Sequence, residues 1–300
     1  MMIRTLCILA FLLVTVGAYT AQAATTVKFR PLAVTSQDAN NAPLKAPEGV
    51  ACSQTSVLVS DTGNGRLVRY SLVNDDLKNG VEIKLPQLTY PLRAKFTPKG
   101  EALVLDGKSR KIARVAADNT FVAYLDPQNV PGPAGTVTRS LAVDAKGNIY
   151  LVDILGERVL ILDPAGLFIR QVPFPAHYGY ISDVAVDQQG TVLILDSMKD
   201  QVYRAAANEN SFKEMGKDLQ DYLFFAVSID IDSQGRVFVL DQNDNGVVLL
   251  GPDGSFLGRY LNFGWKPGQV FYPAQECLAG NDILVIADRD NSRIQMFKLQ

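Results

Sequence analysis

The chain has 300 residues, 47% hydrophobic and 20% charged, with 29 basic against 31 acidic side chains, three cysteines and one histidine. This composition excludes disordered, collagen-like and disulfide-knot classes and describes a globular protein. The near balance of charge removes the field on which general nucleic-acid binding depends, and one histidine leaves few catalytic schemes open.

Residues 1–23 carry Arg4, then an apolar run Leu6–Val16, then Ala21-Gln22-Ala23 in the small-x-small form of a signal-peptidase site. The run is shorter than the ~18–20 residues that span a bilayer, so cleavage after Ala23 is favoured over an uncleaved anchor. Cys7 lies too early in the run for a lipoprotein signal. The expectation is a signal peptide over 1–23 and a single mature domain over 24–300. That domain is secreted or periplasmic, monomeric, and without a transmembrane segment. Cys52 and Cys277 remain in an oxidising compartment. Two buried free thiols are the preferred reading. A disulfide joining the chain ends is the alternative, worth roughly 5 kcal/mol in the loop-entropy model.

A strand-like stretch, Val27–Val34, opens the mature chain, and after it an apolar run ending in aspartate recurs six times, at Asp61, Asp106, Asp153, Asp196, Asp241 and Asp288. The spacings are 45, 47, 43, 45 and 47 residues, which marks a structural repeat. Most runs follow a short apolar segment and a D-x-x-G turn, as in Asp144–Gly147, Asp187–Gly190 and Asp232–Gly235. After each aspartate come a short polar loop and a third apolar run, such as Arg66–Tyr70, Arg158–Leu162 or Arg293–Phe297. A second turn and a fourth run follow, as in Leu167–Val172 and Phe256–Tyr260. Six four-stranded antiparallel units with no helical period predict an all-β, six-bladed β-propeller. The sixth unit stops after its third strand, so Val27–Val34 is expected to supply the fourth and close the ring, removing exposed sheet edges.

Ser60-Asp61-Thr62-Gly63-Asn64-Gly65-Arg66-Leu67 and Ala287-Asp288-Arg289-Asp290-Asn291-Ser292-Arg293-Ile294 closely resemble the NHL repeat, as does the proline–glycine lead-in Pro47-Glu48-Gly49. The resemblance covers residues 47–299 and implies a secreted bacterial-type NHL propeller. It weakens where Lys111, Gln201 and Gly246 stand in place of the repeat arginine. The six aspartates cap strands where loops begin, so their carboxylates suit turn N–H groups, and the arginines suit pairing with them. A group present in every blade reads as structural.

Related six-bladed propellers include calcium lactonases of the gluconolactonase and paraoxonase type, which place Glu, Asn and Asp oxygens around the channel. Aligning the repeats puts Gly49, Arg93, Ser140, Asp183, Ser228 and Gln275 at the channel mouth, with Glu48, Arg139, Ser182 and Glu276 beside them. Glu48, Asp183 and Glu276 are the candidate ligands should a calcium bind; the set holds two cations and few carboxylates, and no metal or other cofactor is the main expectation. Amidating lyases with similar repeats hold zinc with several histidines, which His177 alone cannot supply. No nucleophile elbow, Walker loop, dinucleotide fingerprint or haem-attachment motif is present.

The blade-to-blade crossovers are rich in aromatics: Tyr90, Phe174, Tyr178, Tyr180, Tyr222, Phe224, Phe225, Phe263, Trp265, Phe271 and Tyr272. Seam packing is their ordinary role, and aromatics are also enriched at binding sites. Trp265, Phe263, Tyr178, Tyr180 and His177, with Arg93 and Arg139 at the channel, form the candidate binding set. With catalytic constellations missing, the leading expectation is a non-enzymatic scaffold that binds a protein or other envelope macromolecule and no nucleic acid. The alternative is a metal-assisted lactonase, hydrolase or lyase centred on the channel. RNA recognition, known for some NHL proteins, conflicts with secretion and with the charge balance.

Overall fold

The computed structural model describes residues 27–300, so the expected signal peptide over 1–23 lies outside the described residues. Runs of β-branched and aromatic residues, broken every few positions by turn residues, form six four-stranded sheets in which consecutive strands pair antiparallel. From the channel outward, blade one is Gly49–Cys52, Ser56–Asp61, Arg66–Val73 and Asp76–Ile83. Blade two is Pro91–Phe96, Ala102–Asp106, Ile112–Val115 and Phe121–Tyr124; blade three is Thr138–Val143, Ile149–Asp153, Arg158–Leu162 and Phe168–Pro173. Blade four is Ile181–Val186, Val192–Asp196, Gln201–Ala205 and Lys213–Met215; blade five is Ala226–Ile231, Val237–Asp241, Gly246–Leu250 and Phe256–Tyr260.

Blade six takes Gln275–Ala279, Ile283–Asp288 and Arg293–Leu299 from the end of the chain and its outermost strand, Phe29–Thr35, from the beginning. That strand runs antiparallel to Arg293–Leu299, with Phe29 opposite Leu299 and Thr35 opposite Ile294. The predicted six-bladed fold and its closure by the N-terminal strand are therefore both observed. Each inner strand lies against the next, and that of blade six lies against blade one. Among the described residues no helix is long and apolar enough to cross a membrane.

Because successive side chains alternate faces, each blade presents one apolar face to the blade before it and one to the blade after. The seam between blades three and four shows the pattern: Tyr150, Val152, Val159 and Ile161 meet Val184, Val192, Ile194 and Tyr203. Each fully buried Val, Leu or Ile in such a seam contributes about 1.5–3 kcal/mol relative to exposure.

The repeat aspartates do more than cap their own turns. Asp106 accepts Ser109 N–H at 2.7 Å in its loop and also Thr89 and Tyr90 N–H, at 2.9 and 2.8 Å, from the crossover entering its blade. Asp196 holds Gly179 and Tyr180 N–H in the same way, Asp153 holds Val137, Asp241 holds Phe224 and Asp288 holds Phe271. Loops after the aspartates and crossovers thus share one face of the disc, the loop face; the tight hairpins occupy the other. Arg66, Arg158 and Arg293 pair with Asp61, Asp153 and Asp288 at 2.6, 3.0 and 2.6 Å.

The preference for free thiols is corrected by the structure. Cys52 and Cys277 are disulfide-bonded, with Cα atoms 5.6 Å apart. Closure brings the inner strands of blades one and six side by side, and each cysteine lies on the face turned toward the other. The bond therefore fastens, from the inner strands, the seam at which the two ends of the chain meet and which residues 36–48 cross from the outer strand of blade six.

Candidate functional site at the axial mouth

The inner edge of each blade has no partner strand on the channel side, so its buried N–H groups need acceptors from elsewhere. Polar side chains at one height of the ring supply them. Asp183 Oδ2 accepts Ile229 N–H of blade five at 3.0 Å, Ser228 Oγ accepts Glu276 N–H at 3.4 Å, and Gln275 Oε1 accepts Val50 N–H at 3.1 Å. Asp183 Oδ1 also takes the Ser140 hydroxyl at 2.5 Å and Val184 N–H at 2.9 Å. Gly49 completes the level: a Cβ there would lie 1.8 Å from the Leu92 carbonyl oxygen, so only glycine lets blades one and two approach this closely.

Arg93 breaks this pattern. Instead of stapling to the next blade it crosses the axis, donating at 2.8 Å to the carbonyl of Ala274 in the lead-in to blade six and at 2.9 Å to that of Val227 in blade five. Arg139 donates to the Ile181 carbonyl at 2.9 Å and stacks 3.9 Å from the centroid of Tyr180, whose ring lies 6.4 Å from Phe225. No carboxylate lies within 4.0 Å of either guanidinium among the described residues. Every partner of these two cations is neutral, so the loop-face mouth keeps a positive, aromatic-walled floor.

The candidate calcium ligands do not converge. Asp183 has both oxygens committed to hydrogen bonds, Glu48 faces Arg289 at 3.5 Å, and Glu276 is fully buried with neither carboxylate oxygen hydrogen-bonded. Glu276 projects into the apolar seam toward blade five, where the matching residues of blades four and five are Val184 and Ile229. Burial, then the Asp230 and Asp183 carboxylates, push its acid well above the ordinary range, with Lys95 opposing. A neutral acid, a saturated aspartate and a spanning guanidinium do not make the six to eight oxygens that calcium takes. No group of three or more His, Cys, Asp or Glu suited to a metal occurs among the described residues.

The aromatic candidates separate into two groups. Tyr180 joins the mouth through Arg139. Tyr178 turns away, its hydroxyl donating to Glu157 at 3.1 Å and its ring packing edge-on to Phe174, and His177 beside it is exposed. Trp265 and Phe263 form a separate exposed pair on the crossover into blade six, with Trp265 69% exposed. One group went unnoticed in the sequence. Asp200, in the loop after Asp196, occupies the place of Asn245 in blade five, whose Oδ1 accepts Tyr272 N–H at 2.7 Å. Asp200 Oδ1 is buried without a partner, and burial, then Asp241 and Asp196, raise its acid to about 6. A lone aspartate four residues after a repeat aspartate carries no signal in the sequence.

No family model matches the chain; the six-bladed fold rests on the sheet topology, and membership of the NHL family is not shown. Peptidylglycine alpha-amidating monooxygenase of Rattus norvegicus is 28% identical over 205 residues, covering 58% of this chain and 21% of that protein. The chain thus spans about a fifth of the length of the curated relatives it matches. Virginiamycin B lyase from Staphylococcus aureus superposes with a TM-score of 0.62 at 14% identity, covering 91% of this chain and all of that one. A gluconolactonase from Xanthomonas campestris reaches 0.66, also at 14% identity, over 92% and 91% of the two chains. These neighbours overturn the expectation of a non-enzymatic scaffold, since proteins on the same frame are a lyase and a lactonase. A cationic mouth carries none of the histidine-rich, metal-rich or nucleophile-elbow patterns by which a sequence marks an active site.

Proposed function

We propose that this protein is an enzyme of the lactonase or lyase kind, which binds its substrate on the loop face over the axial mouth and cleaves an ester-type C–O bond. The observation that carries this reading is the pair Arg93 and Arg139, two guanidiniums fixed by neutral acceptors and left without an anion. Fixed donors of this kind stabilise negative charge as it develops on a carbonyl oxygen, and they need no reorganisation at the moment of reaction. Tyr180 and Phe225 supply an apolar wall that holds the substrate against them. Asp200, on the same face and with an acid near 6, is suited to carry the proton that such a cleavage moves. No step is routed through a metal, because the channel donors do not fit one. The disulfide supports a secreted or periplasmic location, where such bonds persist.

The test is turnover of a panel of γ- and δ-lactones and aryl esters by the purified protein, with Arg93→Gln and Arg139→Gln alongside. Loss of one oxyanion donor lowers kcat by roughly 10²–10³. Absence of turnover above background, or full activity in both variants, refutes the assignment.

A further inference from the structure

The three most exposed large apolar side chains among the described residues stand on one face of the disc. Met198, Trp265 and Phe224 are 70%, 69% and 68% exposed, and all three belong to the loop face. Met198 lies in the loop after Asp196 and Phe224 in the crossover into blade five. Trp265, with the exposed Phe263 5.9 Å from it, lies in the crossover into blade six. The tips therefore follow one another along an arc of three consecutive blades. Exposed apolar residues elsewhere, such as Val81, Val122 and Ile169, sit on different outer strands, the ordinary scatter of a protein surface.

The scaffold fixes the backbone of each tip and leaves its side chain out. Asp196 accepts Met198 N–H at 3.2 Å, and Asp241 accepts Phe224 N–H at 2.5 Å. Arg293 donates to the Trp265 carbonyl at 2.7 Å and Asn291 to that of Gly264 at 2.9 Å. Met198 also stands on Gly179, where a Cβ would come within 2.8 Å of the methionine Cβ. Tips held this firmly have little backbone freedom left to lose on binding. Standing on three separate loops, they suit a fluid lipid interface, which takes up aromatic and apolar side chains one by one, better than the packed core of a protein interface.

The charge of the same face selects among lipids. Lys199 follows Met198 and Lys266 follows Trp265; both are exposed, and neither has a carboxylate within 4.0 Å among the described residues. Lys108 and Arg110 in the loop of blade two, and Arg93 and Arg139 at the mouth, are unpaired in the same sense. Of the carboxylates in the same loops, Asp244 and Asp290 are paired with Arg259 and Arg289, Glu157 takes the Tyr178 hydroxyl, and Asp200 Oδ1 is buried. Asp218 and Asp221 remain, exposed beside Lys217 in the crossover into blade five. A chain of net charge −2 thus carries a surplus of unpaired cations beside its apolar tips.

We propose that the loop face docks on an anionic lipid bilayer, with Met198, Phe224, Phe263 and Trp265 in the interface and Lys199 and Lys266 among the head groups. The docking does not depend on the activity proposed at the axial mouth.

Trp265 is the only tryptophan of the chain, so its emission reports the contact directly. The purified protein is mixed with vesicles of equal parts phosphatidylcholine and phosphatidylglycerol, and with vesicles of phosphatidylcholine alone. Co-sedimentation with the anionic vesicles is expected, with a blue shift of Trp265 emission and its quenching by brominated acyl chains. Phe224→Ser lowers the partition coefficient about tenfold, and Lys199→Glu and Lys266→Glu each lower it about fivefold or more. Ile169→Ser, on an outer strand, leaves it unchanged. All four positions are exposed, and an unchanged unfolding midpoint verifies that each variant is folded. Absence of co-sedimentation overturns the proposal, as does equal binding to phosphatidylcholine alone. So does binding in which Trp265 is not quenched, or which Phe224→Ser and the lysine variants leave intact. A blue shift that grows with protein concentration in the absence of lipid assigns the tips to a second copy of the chain and overturns it too.

Discussion

Glu276 offers the sharpest test of the channel's electrostatics. Its carboxyl is wholly buried, has no hydrogen-bond partner and faces two further carboxylates. In the unfolded chain the same acid titrates at its ordinary value of 4.5. Folding above that pH must take up a proton, so this group's contribution is fully present below pH 4.5 and declines as pH rises toward the elevated folded value. Between those two values the loss relative to a non-ionising side chain grows by up to about 1.4 kcal/mol for each pH unit, which is large beside a domain's net stability. Glu276→Gln keeps the shape and removes the proton. Urea unfolding of both proteins at pH 5, 6, 7 and 8, with the disulfide intact, is the assay. The gap between them should change steadily in the variant's favour as pH rises, whatever its offset at pH 5. Parallel stability curves would refute the assignment of Glu276 as a neutral buried acid.

Asp200→Asn should behave similarly over a lower window. The acid is raised to about 6, so its stabilising contribution is lost as pH climbs from about 4 to 6, and the variant's advantage in Tm should appear across that window and hold above it. Arg66 is buried among Asp61, Asp38 and Glu82, so Arg66→Ala strands these carboxylates and should cost about 3–5 kcal/mol in denaturant unfolding; a change below about 1 kcal/mol would show the pairs to be dispensable. Replacing Cys52 and Cys277 by serine removes a cross-link across 225 residues and should cost roughly 5 kcal/mol on the loop-entropy account. An unchanged unfolding midpoint would mean that the outer strand Phe29–Thr35 holds the ring unaided.

The blades were legible because their cause is local. A run of β-branched residues, an aspartate and a turn repeat every 45 residues or so, and each copy folds by the same rule. The height of Arg93, Ser140, Asp183, Ser228 and Gln275 on the channel wall was legible for the same reason, since register along an inner strand follows from distance to the repeat aspartate. The targets of these side chains were not legible. Asp183 reaches blade five because Ile229 N–H is unpaired there, and Arg93 reaches blades five and six because two carbonyls face the axis from the opposite side. Such partners are over 40 residues away in one case and more than 130 in the other, and ring closure alone brings them together. The disulfide, across 225 residues, stayed an open alternative for the same reason.

This division explains where chemistry can reside. The repeat uses nearly every buried polar group at the axis to satisfy backbone donors, so a residue available for a ligand is one that departs from its counterparts in the other blades. Arg93 departs at a position held elsewhere by Gly, Ser, Asp and Gln, and it bridges the channel between the loop-face mouth and a 170 Å³ cavity on the hairpin face lined by Lys95, Asp230 and the disulfide. A ligand arriving from the loop face therefore meets a fixed cation before it meets the channel. Arg139, Asp200 and Lys111 depart in the same sense, each leaving a charge or an oxygen that the scaffold does not consume. The symmetric residues hold the disc together, and these four asymmetric ones, on the loop face, are left free to act on something else.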